Sequence, residues 1–233
     1  MPTTTYKERR GEIETYFDRT AADAWSKLTS DAPVSRVRAT VRAGRDLMRA
    51  ILLGWLPADL AGRRLLDAGC GTGALAVEAA RRGATVVAID VAPTLIALAQ
   101  ERCPKDLGVG SVKFLAGDMT DPALGTFDHV VAMDSVIHYR SEDVVKLLAQ
   151  VAARTTGSIL FTYAPRTALL AVMHAVGQLF PRGDRSPAIV PVSPKRLQQL
   201  IAAEPGLADW RCGRTQRVSR GFYTSQALEL VHQ

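Results

Sequence analysis

The sequence predicts an α/β fold, a mainly parallel sheet of seven strands covered by helices, and three observations predict it. Short aliphatic or β-branched runs alternate with helical stretches from about residue 63 to 163, a rhythm that makes a parallel sheet covered on both faces. Leu65-Leu66-Asp67-Ala68-Gly69-Cys70-Gly71-Thr72-Gly73 carries an apolar strand into a glycine-rich turn and then a helix. Trp210–Val218 and Phe222–Val231, with Gly221 between them, read as a closing hairpin.

The elements follow in order. Residues 6–56 read as helical, with Tyr16, Phe17, Trp25 and Leu28 as apolar anchors. Val34, Val37, Val41, Met48, Ile51, Leu52 and Trp55 continue at helical spacing until Pro57 ends the run. Arg64–Ala68 is a short buried strand, Thr72–Arg82 a helix stopped by Gly83, and Ala84–Asp90 a β-branched strand. Pro93–Arg102 is a helix with proline in its first turn. Val112–Ala116, Asp128–Met133 and Ser158–Tyr163 are three further strands, the last preceded by a helix at Glu142–Arg154. Thr167–Phe180 then reads as an apolar helix and Pro181–Pro194 as a Pro/Gly-rich loop. Ser193 is an N-cap and Pro194 the first residue of a short helix to Ala203. The expected organisation is one domain: a helical cap (1–57), an α/β core (58–163), an inserted helix-loop that is a candidate lid (164–194), and a C-terminal helix and hairpin (195–233).

At 233 residues and 47% hydrophobic content the chain can bury one core without requiring two full domains. Its longest apolar stretches, Ala168–Phe180 and Ala50–Leu56, are shorter than the roughly 20 residues that cross a bilayer. The polar start, Met1–Gly11, is not a signal peptide, so a cytoplasmic protein is expected. Cys70, Cys103 and Cys212 are scattered and read as reduced thiols; no clustered His/Cys set suggests a metal. The net charge of +6, rich in arginine at 36–49 and 211–220, suits nucleic acid, an anionic membrane surface or an acidic small substrate.

The glycine turn invites a ligand against the backbone at a helix N-terminus. Gly69-x-Gly71-x-x-Ala74 alone would also satisfy a loose dinucleotide pattern. Asp67, at the carboxyl end of the strand, disfavours a pyrophosphate and favours an α-ammonium. Asp90 closes the next strand, where an acid accepts from ribose hydroxyls. Gly117-Asp118-Met119 follows the third strand and offers an acceptor and an apolar surface to an adenine.

With these features the chain resembles the class I S-adenosylmethionine-dependent methyltransferases, whose apolar-apolar-Asp-x-Gly-x-Gly-x-Gly pattern residues 65–73 match in full. That resemblance implies a Rossmann-like seven-stranded sheet with its last strand antiparallel, and S-adenosylmethionine as cofactor with S-adenosylhomocysteine as product. It places Cys70, Val91 and Asp134 beside the cofactor with Asp67, Gly69, Gly71, Gly73, Asp90, Gly117, Asp118 and Met119. Further stretches narrow it. Tyr16-Phe17 through Trp25, Val34 through Val41-Arg42-Ala43-Gly44, Asp134-Ser135-Val136-Ile137-His138-Tyr139, Tyr163-Ala164-Pro165-Arg166-Thr167 and Gly221-Phe222-Tyr223-Thr224-Ser225 are similar to the magnesium-protoporphyrin IX O-methyltransferases. The family's cyanobacterial and plant branch carries a tyrosine four residues after the tryptophan; Thr29 stands there, so the purple-bacterial branch is the nearer match. The resemblance implies esterification of a porphyrin propionate in bacteriochlorophyll biosynthesis. It also implies a handover of magnesium-protoporphyrin IX from a magnesium chelatase large subunit, and an enzyme peripheral to the photosynthetic membrane.

Candidate residues follow. His138 lies after the fourth strand and either orients the carboxylate, approaches the magnesium, or only caps its loop. Tyr139 accompanies it as a substrate contact. Arg38, Arg42, Arg45 and Arg49 share one helix face; they are either a solvated stripe or a carboxylate clamp, in which Arg38 and above all Arg42 would bind substrate. Tyr16, Phe17 and Trp25 either form an apolar wall for a flat macrocycle or belong to the core. A carboxylic acid ionises near 4.3, so a propionate needs orientation and desolvation more than a base. A quinone-type phenol would instead need a base, for which His138 is available. A basic nucleic-acid-binding protein and a non-catalytic cofactor-binding partner are rival readings. No aromatic-basic interleaved motif supports the former, so no nucleic-acid partner is expected.

Overall fold

Seven strands form one sheet in the order β3-β2-β1-β4-β5-β7-β6. The computed structural model describes residues 3–20, 28–29, 33, 35–166 and 188–233. The strands are β1 (Arg64–Ala68), β2 (Thr85–Asp90), β3 (Ser111–Ala116), β4 (Phe127–Ala132), β5 (Thr155–Tyr163), β6 (Trp210–Arg220) and β7 (Tyr223–His232). β1 to β5 pair in parallel, while β7 runs antiparallel to both β5 and β6. The expected antiparallel last strand is therefore present. Strand order reverses at β1 and β4, and the carboxyl ends there open a crevice of the kind that holds ligands in such sheets.

The helices are α1 (Thr4–Thr15), α2 (Arg36–Trp55), α3 (Ala74–Arg81), α4 (Pro93–Arg102), α5 (Ser141–Ala152) and α6 (Pro194–Ala203). Period-2 alternation divides the core into two layers. Leu66, Val87, Val130 and Ile159 point toward α5 and α6, packing with Leu148 and Leu197. Leu65, Val86, Val131 and Leu160 point toward α2 and α3, packing with Met48, Leu52 and Ala76. Helix α3 begins at Ala74 rather than Thr72, because Gly73 takes a left-handed conformation (φ 78°) as its N-cap. Helix α6 starts as its sequence requires: Ser193 accepts from the Arg196 N–H and Pro194 fills the first turn.

The N-terminal zone departs from one continuous helical reading. A π-turn at Tyr16–Thr20 follows α1. Val37, one of the apolar residues at helical spacing, is 47% exposed. Trp25, Val34, the apolar helix expected at Thr167–Phe180 and the loop as far as Pro187 lie outside the described residues.

Helix α1 carries little apolar patterning and is fastened by polar contacts. Thr3 and Thr5 hydroxyls donate to the buried Asp143 of α5. Arg9 Nε and an Arg9 terminal nitrogen donate to the His138 and Ala188 carbonyls at 2.9 and 2.8 Å.

A second clamp joins α2 to the hairpin. At the irregularity between Cys212 and Thr215, Arg214 donates from its backbone and side chain to Glu229, which is 5% exposed. It also donates to the Trp55 carbonyl at 2.8 Å and lies 5.2 Å from the Trp55 ring centre. Burial pushes the Glu229 carboxyl up, but the Arg214 hydrogen bonds outweigh it and hold the group below its ordinary range. A depressed carboxyl stabilises above its unfolded pKa and loses that contribution as pH falls. Arg214→Met is expected to cost about 2 kcal/mol at neutral pH. Urea melts should show that deficit shrinking below roughly pH 4.

Candidate functional site

The crevice above β1 and β4 is a cavity of about 540 Å³. Its floor is the glycine turn. Gly69, Gly71 and Gly73 all have positive φ (83°, 54° and 78°). The Gly69 and Cys70 N–H groups donate to the Ile89 carbonyl at 2.8 and 3.0 Å, and the Gly71 N–H donates to Asp90 Oδ2 at 2.8 Å. The Ala92 N–H takes Asp90 Oδ1 at 3.0 Å. Asp90 thus ties β2 to the turn and lines the cavity.

Asp67 is 2% exposed, and its Oδ2 is buried without a hydrogen-bond partner among the described residues. Burial, and next the Asp90 charge, push its carboxyl up to about 7, against the pull of the Ala76 N–H. A buried acceptor without a donor costs stability. A cationic N–H group would complete it.

Gly69, Cys70, Gly71, Val91, Gly117 and Met119 line the cavity with Asp67 and Asp90. Gly73 and Asp118 do not. Gly73 faces the Phe114 ring and serves the turn. Asp118, expected to meet an adenine amine, accepts from Tyr6 Oη (2.8 Å), Arg10 (2.6 Å) and the N–H and hydroxyl of Thr120. Burial would raise its carboxyl, yet these donors hold it below the ordinary range. Tyr6 also stacks on Tyr139 at 4.8 Å. Helix α1 thus packs beside the Gly117–Met119 segment, and its Ile13 lines the cavity.

Across the cavity the turn after β4 carries the second set of groups. Asp134 has φ 54°, uncommon for a non-glycine residue. Its carboxylate accepts from Arg45 (2.7 Å), Thr162, Tyr223 and Ser225 (3.1 Å each). Asp134 lines the cavity as expected, but its carboxylate is engaged by the protein's own donors, so its role is to hold the turn. His138 ends the short helical turn Val136–His138, is 6% exposed and meets Phe17 edge-on at 6.1 Å. Tyr139 and Tyr16 line the same cavity.

All four arginines of the α2 face, Arg38, Arg42, Arg45 and Arg49, reach the cavity wall, so the stripe is not merely a solvated face. Their roles differ. Arg45 pairs with Asp134, Arg49 with Asp46, and Arg42 Nε donates to the Leu28 carbonyl at 3.0 Å. Arg42, the favoured clamp by sequence, thus stitches α2 to the Leu28–Thr29 segment. Arg38 has no carboxylate partner among the described residues.

Sequence reasoning gave no role to Tyr223 or Ser225. The signal was present as the pairing of two motifs. An added Cβ on Gly44 would lie 2.4 Å from Tyr223 Cδ1, and one on Gly221 (φ 55°) 2.5 Å from the Thr40 hydroxyl. Both glycines let α2 meet the hairpin closely enough for Tyr223 to reach Asp134. Burial first, and the Asp134 charge second, push the Tyr223 phenol well above its ordinary range, so it remains a donor. Gly44→Ala is expected to cost about 2 kcal/mol through overpacking, and to lower turnover by displacing Tyr223; a thermal melt beside a rate assay checks both.

Residues 132–232 match a family model described as magnesium-protoporphyrin IX methyltransferase C-terminus, and residues 65–156 match one described as a methyltransferase domain. The chain is 52% identical to a magnesium-protoporphyrin O-methyltransferase of Rhodobacter capsulatus, over 96% of this chain and 97% of that one. It is 28% identical to the protein of the same name from Synechocystis, over 94% of each. The crystal structure of magnesium-protoporphyrin IX methyltransferase from Synechocystis with bound S-adenosylhomocysteine superposes with a TM-score of 0.83 at 26% identity, covering 96% of this chain and all of that one.

Proposed function

The chain belongs to the magnesium-protoporphyrin IX methyltransferase family, and from that premise we propose that its cavity esterifies one propionate of magnesium-protoporphyrin IX at the expense of S-adenosylmethionine. The products are the monomethyl ester and S-adenosylhomocysteine, and the step belongs to bacteriochlorophyll biosynthesis. When bound, S-adenosylmethionine supplies an electrophilic methyl group that a carboxylate oxygen can take.

One observation carries the reading: a single cavity joins an ammonium-accepting floor, Asp67 and Asp90, to a wall bearing His138 and the α2 arginines. Asp67 takes the α-ammonium of the cofactor, Asp90 the ribose hydroxyls, and Gly117 with Met119 the adenine. The propionate is already an anion at neutral pH. The wall therefore has to orient it and keep water away, and no strong base is needed. His138, buried beside Phe17, orients the reacting carboxylate. Arg38 holds the second propionate through a charge-assisted hydrogen bond.

Exposed Val37 (47%) and Phe222 (56%), flanked by exposed Arg36 and Arg220, support docking of this rim on an anionic membrane or on a magnesium chelatase subunit that delivers the substrate. No helix among the described residues is long and apolar enough to cross a membrane.

Soret-band titrations test the substrate side. Magnesium-protoporphyrin IX should bind more tightly than its dimethyl ester. Arg38→Ala should weaken the free acid about 10-fold while leaving the diester and S-adenosylhomocysteine unaffected. Equal affinity for acid and diester would contradict carboxylate recognition.

A further inference from the structure

Two buried polar atoms have no hydrogen-bond partner among the described residues: Asp67 Oδ2 and Ser135 Oγ. Both residues line the cavity, and both adjoin Gly69. Asp67 precedes that glycine by two positions. Ser135 is packed onto it: a Cβ built on Gly69 would lie 2.2 Å from Ser135 Cβ and 3.0 Å from its Oγ. Only a glycine, here at φ 83°, lets the hydroxyl sit this close to the turn.

The strained residue before Ser135 explains how it gets there. Asp134 at φ 54° is held by four side chains from three elements: Arg45 of α2, Thr162 of β5, and Tyr223 and Ser225 of β7. Backbone strain of this kind persists only where the surroundings over-determine it, and it gathers at ligand sites. Its effect is to turn the next side chain over the glycine loop and leave its hydroxyl unsatisfied.

An orphan acceptor and an orphan hydroxyl on either side of one glycine match an α-amino acid zwitterion, whose ammonium and carboxylate share one carbon. Asp67 accepts from the ammonium under the reading above. We propose that Ser135 donates to the α-carboxylate of the cofactor's methionyl end, making it the second half of an amino-acid clamp and distinguishing S-adenosyl ligands that retain the carboxylate from those that lack it. This inference rests on the proposed S-adenosylmethionine site.

Calorimetric titration of wild type and Ser135→Ala with S-adenosylhomocysteine and its decarboxylated analogue tests it without turnover. The serine hydroxyl has no hydrogen-bond partner to lose among the described residues, so the variant should melt with the wild type. Wild type should bind S-adenosylhomocysteine about 10-fold more tightly than the decarboxylated analogue. Ser135→Ala should lose that factor for the first ligand and nothing for the second. Unchanged affinity for S-adenosylhomocysteine would overturn the assignment, as would an equal loss for both ligands, which would mark a structural role. A wild type that binds neither would overturn the cofactor site itself. Should the variant not fold, equal wild-type affinity for the two ligands would still overturn the clamp and a 10-fold difference would support it.

Discussion

Asp67→Asn is expected to weaken S-adenosylhomocysteine binding by about 100-fold at pH 8, the loss of a buried charge-assisted contact, while making the ligand-free protein more stable. Both results have one cause. Burial, reinforced by the nearby Asp90 charge, pushes the Asp67 carboxyl up to about 7. A carboxyl raised above its unfolded value of about 3.9 binds protons more readily in the native state. Stability is then greatest below the unfolded pKa and falls as pH rises toward 7. At pH 8 the native protein carries the whole cost, and the neutral amide removes most of it. Calorimetric melts at pH 8 should place the ligand-free variant several degrees above wild type. Wild-type affinity for S-adenosylhomocysteine should fall up to tenfold for each pH step below 7, because binding then requires Asp67 to release a proton. A variant that keeps its affinity, or melts lower than wild type at pH 8, would contradict the role assigned to this carboxylate.

His138→Ala is expected to lower turnover about 100-fold, the scale of losing orientation at a reacting atom, with S-adenosylhomocysteine affinity unchanged. His138 sits at the end of a turn fixed from two sides. Arg9 holds its carbonyl, and the four-donor grip on Asp134 holds the start of the turn. Removing the ring should therefore leave the backbone in place. Single-turnover rates with both substrates saturating isolate the effect. A loss confined to KM would make His138 a binding residue for the porphyrin, and a change under about threefold would make it structural.

The fold was legible because its signals are local and repeated. Leu65/Leu66 and Val130/Val131 each send one side chain to either layer, and Gly83, Pro93 and Ser193 punctuate their helices where chain stereochemistry demands. The glycine turn lining the cavity was legible for the same reason: β1, Asp67 and the three glycines are consecutive in residues 65–73. The opposite wall was less so. Arg38 and Arg42 have the same residue type on the same helix face, and it is contacts such as the one from Arg42 Nε to the Leu28 carbonyl that separate them. Asp118 follows β3 in the chain, but its donors Tyr6 and Arg10 lie more than a hundred residues earlier, beyond the reach of any local pattern. Ser135 is a common residue that stands out because its hydroxyl is buried without a partner among the described residues, a property of the packed site alone.

The most direct test is to incubate the purified chain with S-adenosylmethionine and magnesium-protoporphyrin IX and analyse the porphyrin by mass spectrometry. The account predicts one added methyl group, base-labile as an ester, with stoichiometric S-adenosylhomocysteine. Unmodified porphyrin from a protein that demonstrably binds S-adenosylhomocysteine would contradict it, leaving a methyltransferase fold whose cavity serves a different acceptor.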